Sequence, residues 1–259
     1  MIDNVSAIEY SLKGKTAFVS GGGKGVGAGV VRILASRGVN VGMNYHSSEE
    51  LAQENFKAIS AEGGNLLLLK GDISDRAQVE AMYKKLADTY GGIDILVNNA
   101  AMQRNLWITE YSEEDVDYVI SVNVKGYLIC TQAVIPYMKK AGGGRILNIS
   151  SVHAKRPTDF DPVYSFTKSA DIMLTREASL ELGKYGIAVN AIDLGAVIIE
   201  GKSGNPGVIR SKKIMPYKDA ERRRSCTPDE VGVLAANIIS TGAFLTGSSV
   251  RFDGGRATV

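Results

Sequence analysis

Tyr164 and Lys168 stand four positions apart in the run YSFTK, so on a helix they share one face, a turn apart. A free phenol has a pKa of about 10 and is a poor base at neutral pH. An ammonium one turn away favours the phenolate and lowers that value. Such a pair can give a proton to a substrate oxygen, or take one from it, while hydride moves at the adjacent carbon. The same spacing on ordinary helices is a packed tyrosine beside a surface lysine, so the pair alone decides nothing. Ser150-Ser151 gives it company, ending the apolar run GRILNIS thirteen residues before Tyr164. A hydroxyl at that place can hold the substrate oxygen, although strand-end serines also serve as caps and turn residues. Asn98-Asn99-Ala100 after another apolar run, and Asn123 in SVNVKG, complete the polar set.

A second chemistry is written nearer the N-terminus, where TAFVS leads into Gly21-Gly22-Gly23-Lys24-Gly25-Val26-Gly27. Glycines between a strand and a helix permit a tight turn and close approach of a diphosphate, which then sits on the helix N-terminus. The next apolar run ends Asn44-Tyr45-His46-Ser47-Ser48, with no acid before Glu49. An acid there would hold a ribose 2′-hydroxyl and repel a 2′-phosphate, whereas Lys24 can pair with that phosphate. This favours NADP over NAD; the competing reading leaves Lys24 in solvent.

These residues need a frame, and the chain supplies a rhythm of short apolar strand, loop and longer amphipathic segment. Strands are expected at TAFVSG, NVGMNY, NLLLLKG, IDILVNN, GRILNIS, IAVNAID and SSVRFDGG. Helices are expected over about 25–37, the serine-capped SSEELAQENFKAISAEGG, RAQVEAMYKKLADTYGG, one long helix over 113–137, and about 162–185. Strands apolar on both faces, alternating with helices, imply an α/β fold: a single doubly wound Rossmann-type domain over 1–259, with a parallel sheet of about seven strands and helices on both faces. Residues 196–227, with GKSGNPG and many charges, break the rhythm and read as a substrate lid.

Composition excludes several classes. A net charge of +2 over 259 residues gives no basis for a nucleic-acid or membrane partner, and Arg222-Arg223-Arg224 is too short a run to supply one. Cys130 and Cys226 form no CxxC, which fits a reduced, cytoplasmic setting. With two histidines and two cysteines, none at ligand spacing, no metal site is expected. The N-terminal MIDNVSAIEYSLKGK does not read as a signal peptide, and no run reaches the roughly 18 apolar residues of a membrane span.

Taken together, GGGKGVG, the GDI holding Asp72, Asn98-Asn99-Ala100, Asn123, NISS ending at Ser151, and YSFTK resemble the short-chain dehydrogenase/reductase family over about 12–255. The resemblance implies Ser151 as anchor of the substrate oxygen, Tyr164 as acid/base, and Lys168 as activator of the phenol and ligand of the nicotinamide ribose. It implies that Asn123 holds a proton-relaying water, that Asp72 and Ile73 flank the adenine, and that Asn99 and Ala100 line the cofactor groove. Gly195 and Val197 join the cofactor set, with Gly21, Gly23, Lys24, Gly25, Val26, Gly27, Tyr45, His46 and Ser47. Three positions depart from the family pattern: Ala101 for a glycine, Leu194 for a proline, and Ile199 where a threonine commonly contacts the carboxamide. Ser150–Pro157 and Asn98–Met102 are similar to the glucose dehydrogenase group, which implies a sugar or polyol, with His153 as a further substrate contact. Lys202, Arg210, Lys212, Lys213 and Lys218 would suit an anionic substrate, against which Asp159 and Asp161 would work. The alternatives are a 3-oxoacyl or small-ketone reductase and a non-catalytic NADP-binding regulator. The resemblance also implies self-association, as a tetramer through the helices at 113–137 and 162–185.

Overall fold

The computed structural model describes residues 9–158, 161–198 and 225–255. Its strands are β1 (Thr16–Val19), β2 (Asn40–Tyr45), β3 (Leu66–Lys70), β4 (Ile95–Asn98), β5 (Gly144–Ser151), β6 (Ile187–Leu194) and β7 (Ser249–Phe252). All pair in parallel, in the order β3-β2-β1-β4-β5-β6-β7. The order reverses between β1 and β4, the crevice where open sheets of this kind bind ligands beyond their carboxyl ends.

The helices are α1 (Gly25–Ser36), α2 (Glu49–Ala61), α3 (Arg76–Tyr90), α4 (Glu113–Ile120), α5 (Gly126–Lys140), α6 (Pro162–Leu182) and α7 (Pro228–Ser240). Successive strand residues point to opposite faces, and the core divides accordingly. Ala17, Val19, Ile95 and Val97 pack with Val30, Val31 and Leu34 of α1 and with Val231, Ala235 and Ile239 of α7. Phe18 and Leu96 turn the other way, onto Val79, Tyr83 and Leu86 of α3 and Tyr127, Cys130 and Val134 of α5. Phe18 and Tyr83 meet edge to face at 4.8 Å. Each fully buried side chain of this size contributes about 1.5–3 kcal/mol.

Three features differ from the sequence expectation. The long helix expected over 113–137 is two helices joined by a π turn, Ser121–Lys125, centred on Asn123. Helix α7 was not foreseen; Thr227 and Glu230 form its capping box, with Pro228 in the first turn. It packs directly on α1: a β-carbon on Gly29 would lie 2.3 Å from the Pro228 carbonyl carbon, and one on Gly232 would lie 2.5 Å from the Gly29 oxygen. The serine expected to cap α2, Ser48, makes no such bond; its hydroxyl is engaged elsewhere, as described below.

The continuous helical stretch Glu113–Lys140 is long and apolar enough, by length and composition alone, to cross a membrane. Its inward residues Val119, Tyr127, Ile129, Val134 and Met138 are nonetheless core side chains. Most of the expected lid, with Ile199 and its basic residues, lies outside the described residues, as does Asp159. Its described ends pair with each other: Val197 bridges Cys226, and the Ile198 amide donates to the Cys226 carbonyl at 2.8 Å.

Candidate active site

The glycine turn sits over the carboxyl end of β1 and is held by two asparagines. The Gly21 amide donates to Asn44 Oδ1 at 3.0 Å, and Asn99 Nδ2 donates to the carbonyls of Ser20 and Gly21 at 2.9 and 3.2 Å. Gly21 has φ +61°, and a β-carbon there would come within 2.9 Å of the Ala100 Cα. At Gly27 a β-carbon would lie 2.2 Å from the Gly21 oxygen, so only glycine lets the helix start this close to the turn. Gly23 is buried against Ala52, while Gly25, with φ +54°, and Val26 open α1. The N-cap position of α1 is Lys24, which makes no side-chain cap bond, and the first turn holds no acid. The first-turn amides thus meet neither a capping oxygen nor a carboxylate of their own helix, which suits an anion such as a diphosphate.

At the end of β2, Tyr45 is buried and His46 and Ser47 are exposed. Lys24 reaches across to the next residue, its Nζ donating to Ser48 Oγ at 2.6 Å. The first acid beyond β2, Glu49, is already paired with Lys70 at 2.7 Å, and that bond holds its carboxyl below the usual range. An incoming 2′-phosphate would therefore meet Lys24 and no unpaired carboxylate from Glu49. Further along the groove, Asp72 Oδ1 accepts from the Ser74 amide and hydroxyl, both at 2.8 Å. Ile73 is buried against Gly126. Ser20 Oγ accepts from the Asn99 and Ala100 amides, fixing the loop after β4. On the far side, the Gly195 amide donates to the Phe252 carbonyl at 2.9 Å, and Val197 is half-buried beside it.

The residues expected to handle the proton come from β5, the π turn and α6. Ser151 closes β5; its hydroxyl accepts from the His153 amide at 3.2 Å and lies 3.5 Å from the Leu194 carbonyl. His153 is half-buried in a 3₁₀ turn, with Nδ1 lacking a protein partner. Helix α6 is pinned to the strand beside Ser151: Ser150 Oγ donates to the Lys168 carbonyl at 2.9 Å. Tyr164 is half-buried in the first turn of α6, and Lys168 Nζ lies 5.7 Å from the centre of its ring. Asn123 is fully buried; it donates to Thr167 Oγ1 at 3.0 Å, between the tyrosine and the lysine, and exchanges two bonds with the Met102 backbone. A π turn at this residue fits a site-forming distortion of an otherwise regular helix.

Three features of the candidate site escaped the sequence reading. Asn44 clamps the glycine turn, although at sequence level it signified only a missing acid. Asp161, expected to face an incoming anion, is instead wholly buried and committed inside the protein. Its two oxygens accept from the amides of Tyr164, Arg104 and Asn105 and from the Tyr111 hydroxyl. The third is Asp171, one turn beyond Lys168. Lys168 Nζ donates to Asp171 Oδ2 and to the Ile149 carbonyl, both at 2.9 Å, and to Tyr127 OH at 3.4 Å. The YSFTKSAD spacing carries the first part of that signal, because positions three apart on a helix are neighbours.

Burial alone would lower the Lys168 pKa, but Asp171, Tyr127 and Tyr164 outweigh it and raise the ammonium above its ordinary value. Burial pushes the Asp171 carboxyl up to about 6 in spite of the adjoining ammonium. Among the described residues no group of three or more potential metal ligands occurs.

Known proteins share the sequence pattern and the fold. The family described as short chain dehydrogenase matches residues 15–202. Oxidoreductase UcpA of Salmonella typhimurium is 36% identical over 94% of this chain and 95% of its own length. The 3-oxoacyl-[acyl-carrier-protein] reductase FabG of Staphylococcus aureus is 30% identical over 93% of this chain and 97% of its own. A short-chain dehydrogenase of Burkholderia cenocepacia, solved in complex with NADP, superposes with a TM-score of 0.84 at 30% identity, covering 96% of this chain and 100% of that one. The chain belongs to the short-chain dehydrogenase/reductase family.

Proposed function

We propose that this protein is an NADP-dependent oxidoreductase acting on a CH–OH group or the corresponding carbonyl, with Asn123, Ser151, Tyr164 and Lys168 as its site. The observation that carries the reading is the Lys168 ammonium 5.7 Å from the Tyr164 ring, on a helix anchored to the strand that ends in Ser151. NADP is supported by Lys24 reaching to Ser48 beyond β2, by the pairing of Glu49 with Lys70, and by the NADP held by the Burkholderia relative. The glycine turn and the α1 N-terminus would hold its diphosphate, and Asp72, Ile73, Asn99, Ala100, Gly195 and Val197 the rest. When bound, the nicotinamide supplies or accepts hydride at the substrate carbon.

The chain's own residues manage the oxygen. Ser151 donates a hydrogen bond to the substrate oxygen and fixes its direction. Tyr164 gives that oxygen a proton during reduction and takes one during oxidation, with the Lys168 charge stabilising the phenolate. Asn123, through the helix distortion around it, positions a water that restores the proton at Lys168. His153 would touch the rest of the substrate.

The substrate we favour is a sugar or polyol, following the likeness of Ser150–Pro157 and Asn98–Met102 to the glucose dehydrogenase group. Reduction of a 3-oxoacyl group or small ketone is a second reading, favoured by the likeness to FabG. A panel of sugars, polyols, hydroxy acids and ketones, followed by nicotinamide absorbance with NADP and NAD, separates the two. Tyr164→Phe should keep NADP binding and lose at least about 100-fold in turnover. Turnover equal to the parent's would refute the acid/base assignment.

The whole chain would act as one catalytic domain, with 196–227 as its lid, in a cytoplasmic setting. A homotetramer is supported by exposed apolar side chains on α5 and α6, among them Leu128, Met173 and Leu180. Light scattering that returned only monomer at micromolar concentration would remove it.

A further inference from the structure

Asp171 is a carboxylate with no assigned task at the centre of the proton-handling site. It is 1% exposed, and its Oδ1 has no hydrogen-bond partner in the protein. Its helix is held in register from beneath: the Asp171 carbonyl accepts from Thr175 Oγ1, which accepts from Asn148, which in turn accepts from Asn98. The buried side chain meets Lys168 from this fixed backbone.

An ammonium has three protons to donate. Here they meet Asp171 on α6 itself, the Ile149 carbonyl of β5, and the Tyr127 hydroxyl of α5. None of these acceptors is Tyr164. The titratable groups facing this ammonium are thus one carboxylate and two phenols, Tyr127 and Tyr164, and the carboxylate is the nearest anion.

We propose that Asp171 is a positioning residue: it holds the Lys168 ammonium on the interior side of the site, competes with the Tyr164 phenolate for it, and so sets the pH range over which Tyr164 ionises. The inference rests on the assignment of Tyr164 and Lys168 given above. Its physical content is a sign. A negative charge beside the ammonium cancels part of the positive potential felt at the phenol, so Tyr164 keeps its proton to a higher pH. A protonated phenol suits delivery of a proton to a carbonyl, and oxidation of an alcohol is displaced toward alkaline pH. Removing the charge while keeping the shape should reverse both effects.

The test reads the phenol itself and needs no substrate. Phenolate absorbance is titrated in the NADP complex, and the Tyr164 contribution is taken as the difference from the same protein carrying Tyr164→Phe. In Asp171→Asn the midpoint should fall by about one pH unit or more, and in Asp171→Glu, which keeps the charge, it should stay near the parent's. A merely structural role would loosen the site without moving the midpoint in that direction. An unmoved or raised midpoint in folded Asp171→Asn overturns the proposal. If that variant does not fold, Asp171→Ser takes its place in the same titration, and an unmoved or raised midpoint there is equally fatal. Turnover surviving in Tyr164→Phe would instead defeat the parent reading. An inactive Tyr164→Phe together with an unmoved midpoint in Asp171→Asn defeats this inference alone.

Discussion

Asp161→Ala should uncouple the loop before α4 from the first turn of the helix that carries Tyr164. The parent carboxylate accepts from the Tyr164 amide at 2.9 Å, the Arg104 and Asn105 amides at 3.0 and 3.1 Å, and the Tyr111 hydroxyl. Loss of a helix N-cap costs about 1 kcal/mol. Each remaining bond to a carboxylate is worth about 1.5–3 kcal/mol if its donor stays buried, and less if water replaces the acceptor. Water can reach part of this segment, since the Arg104 side chain is 38% exposed. Asn105, at φ +58°, can also relax once released, which offsets about 1 kcal/mol. The expected net loss is about 3–5 kcal/mol. Urea unfolding at matched protein concentration measures it, and hydrogen exchange over 102–111 and around Tyr164 locates it. Because the loop opens beside the site, KM should rise at least as much as kcat falls. A loss below about 1 kcal/mol with unchanged exchange in 102–111 would show that this carboxylate does not tie the two elements together.

Three further outcomes follow from other parts of the structure. Lys24→Glu should weaken NADP about 10–100-fold relative to NAD, the worth of one charge-assisted phosphate contact, as read by cofactor titration; an unchanged ratio would place the 2′-phosphate elsewhere. Gly232→Ala should lower stability by about 1–3 kcal/mol in a denaturant melt, because its methyl would fall 2.5 Å from the Gly29 oxygen; a neutral result would mean that α1 and α7 separate easily. The Asp171 carboxyl is raised in the fold above its unfolded value, so the native state holds that proton more tightly. Its contribution is present at low pH and is lost as pH rises from about 4 to about 6. Urea melts of the parent and Asp171→Asn across that window should therefore converge or cross in the parent's disfavour, and parallel curves would contradict the assignment.

Much of this frame was legible in the sequence because parallel strands are covered on both faces and read as uninterrupted apolar runs. NVGMNY coincides with β2 to the residue. Helix α7 follows a charged segment without periodicity, and its signal in the sequence is the capping signature Thr227-Pro-Asp-Glu230. The break at Asn123 has only a weak local marker, since Ser121-Val-Asn-Val is poor in helix formers, and the bonds of Asn123 to Met102 and Thr167 are invisible in sequence. At the site, residue types picked out the glycine turn and the Ser-Tyr-Lys set as candidates. They could not show where the carboxylates point. Asp161 lies next to a proline at a helix start and Asp171 in mid-helix, and only packing reveals that one is a fastener and the other an ion-pair partner.

The glycine-to-glycine contact between α1 and α7 bears on how the polypeptide matures. Val30, Val31 and Leu34 of α1 share one core cluster with Val231, Ala235 and Ile239, on a helix nearly two hundred residues downstream. Such long-range pairing slows folding and leaves apolar surface uncovered meanwhile. A nascent chain stalled before Pro228 would carry the dinucleotide turn yet lack the buttress behind it, and should be prone to aggregate and cling to chaperones.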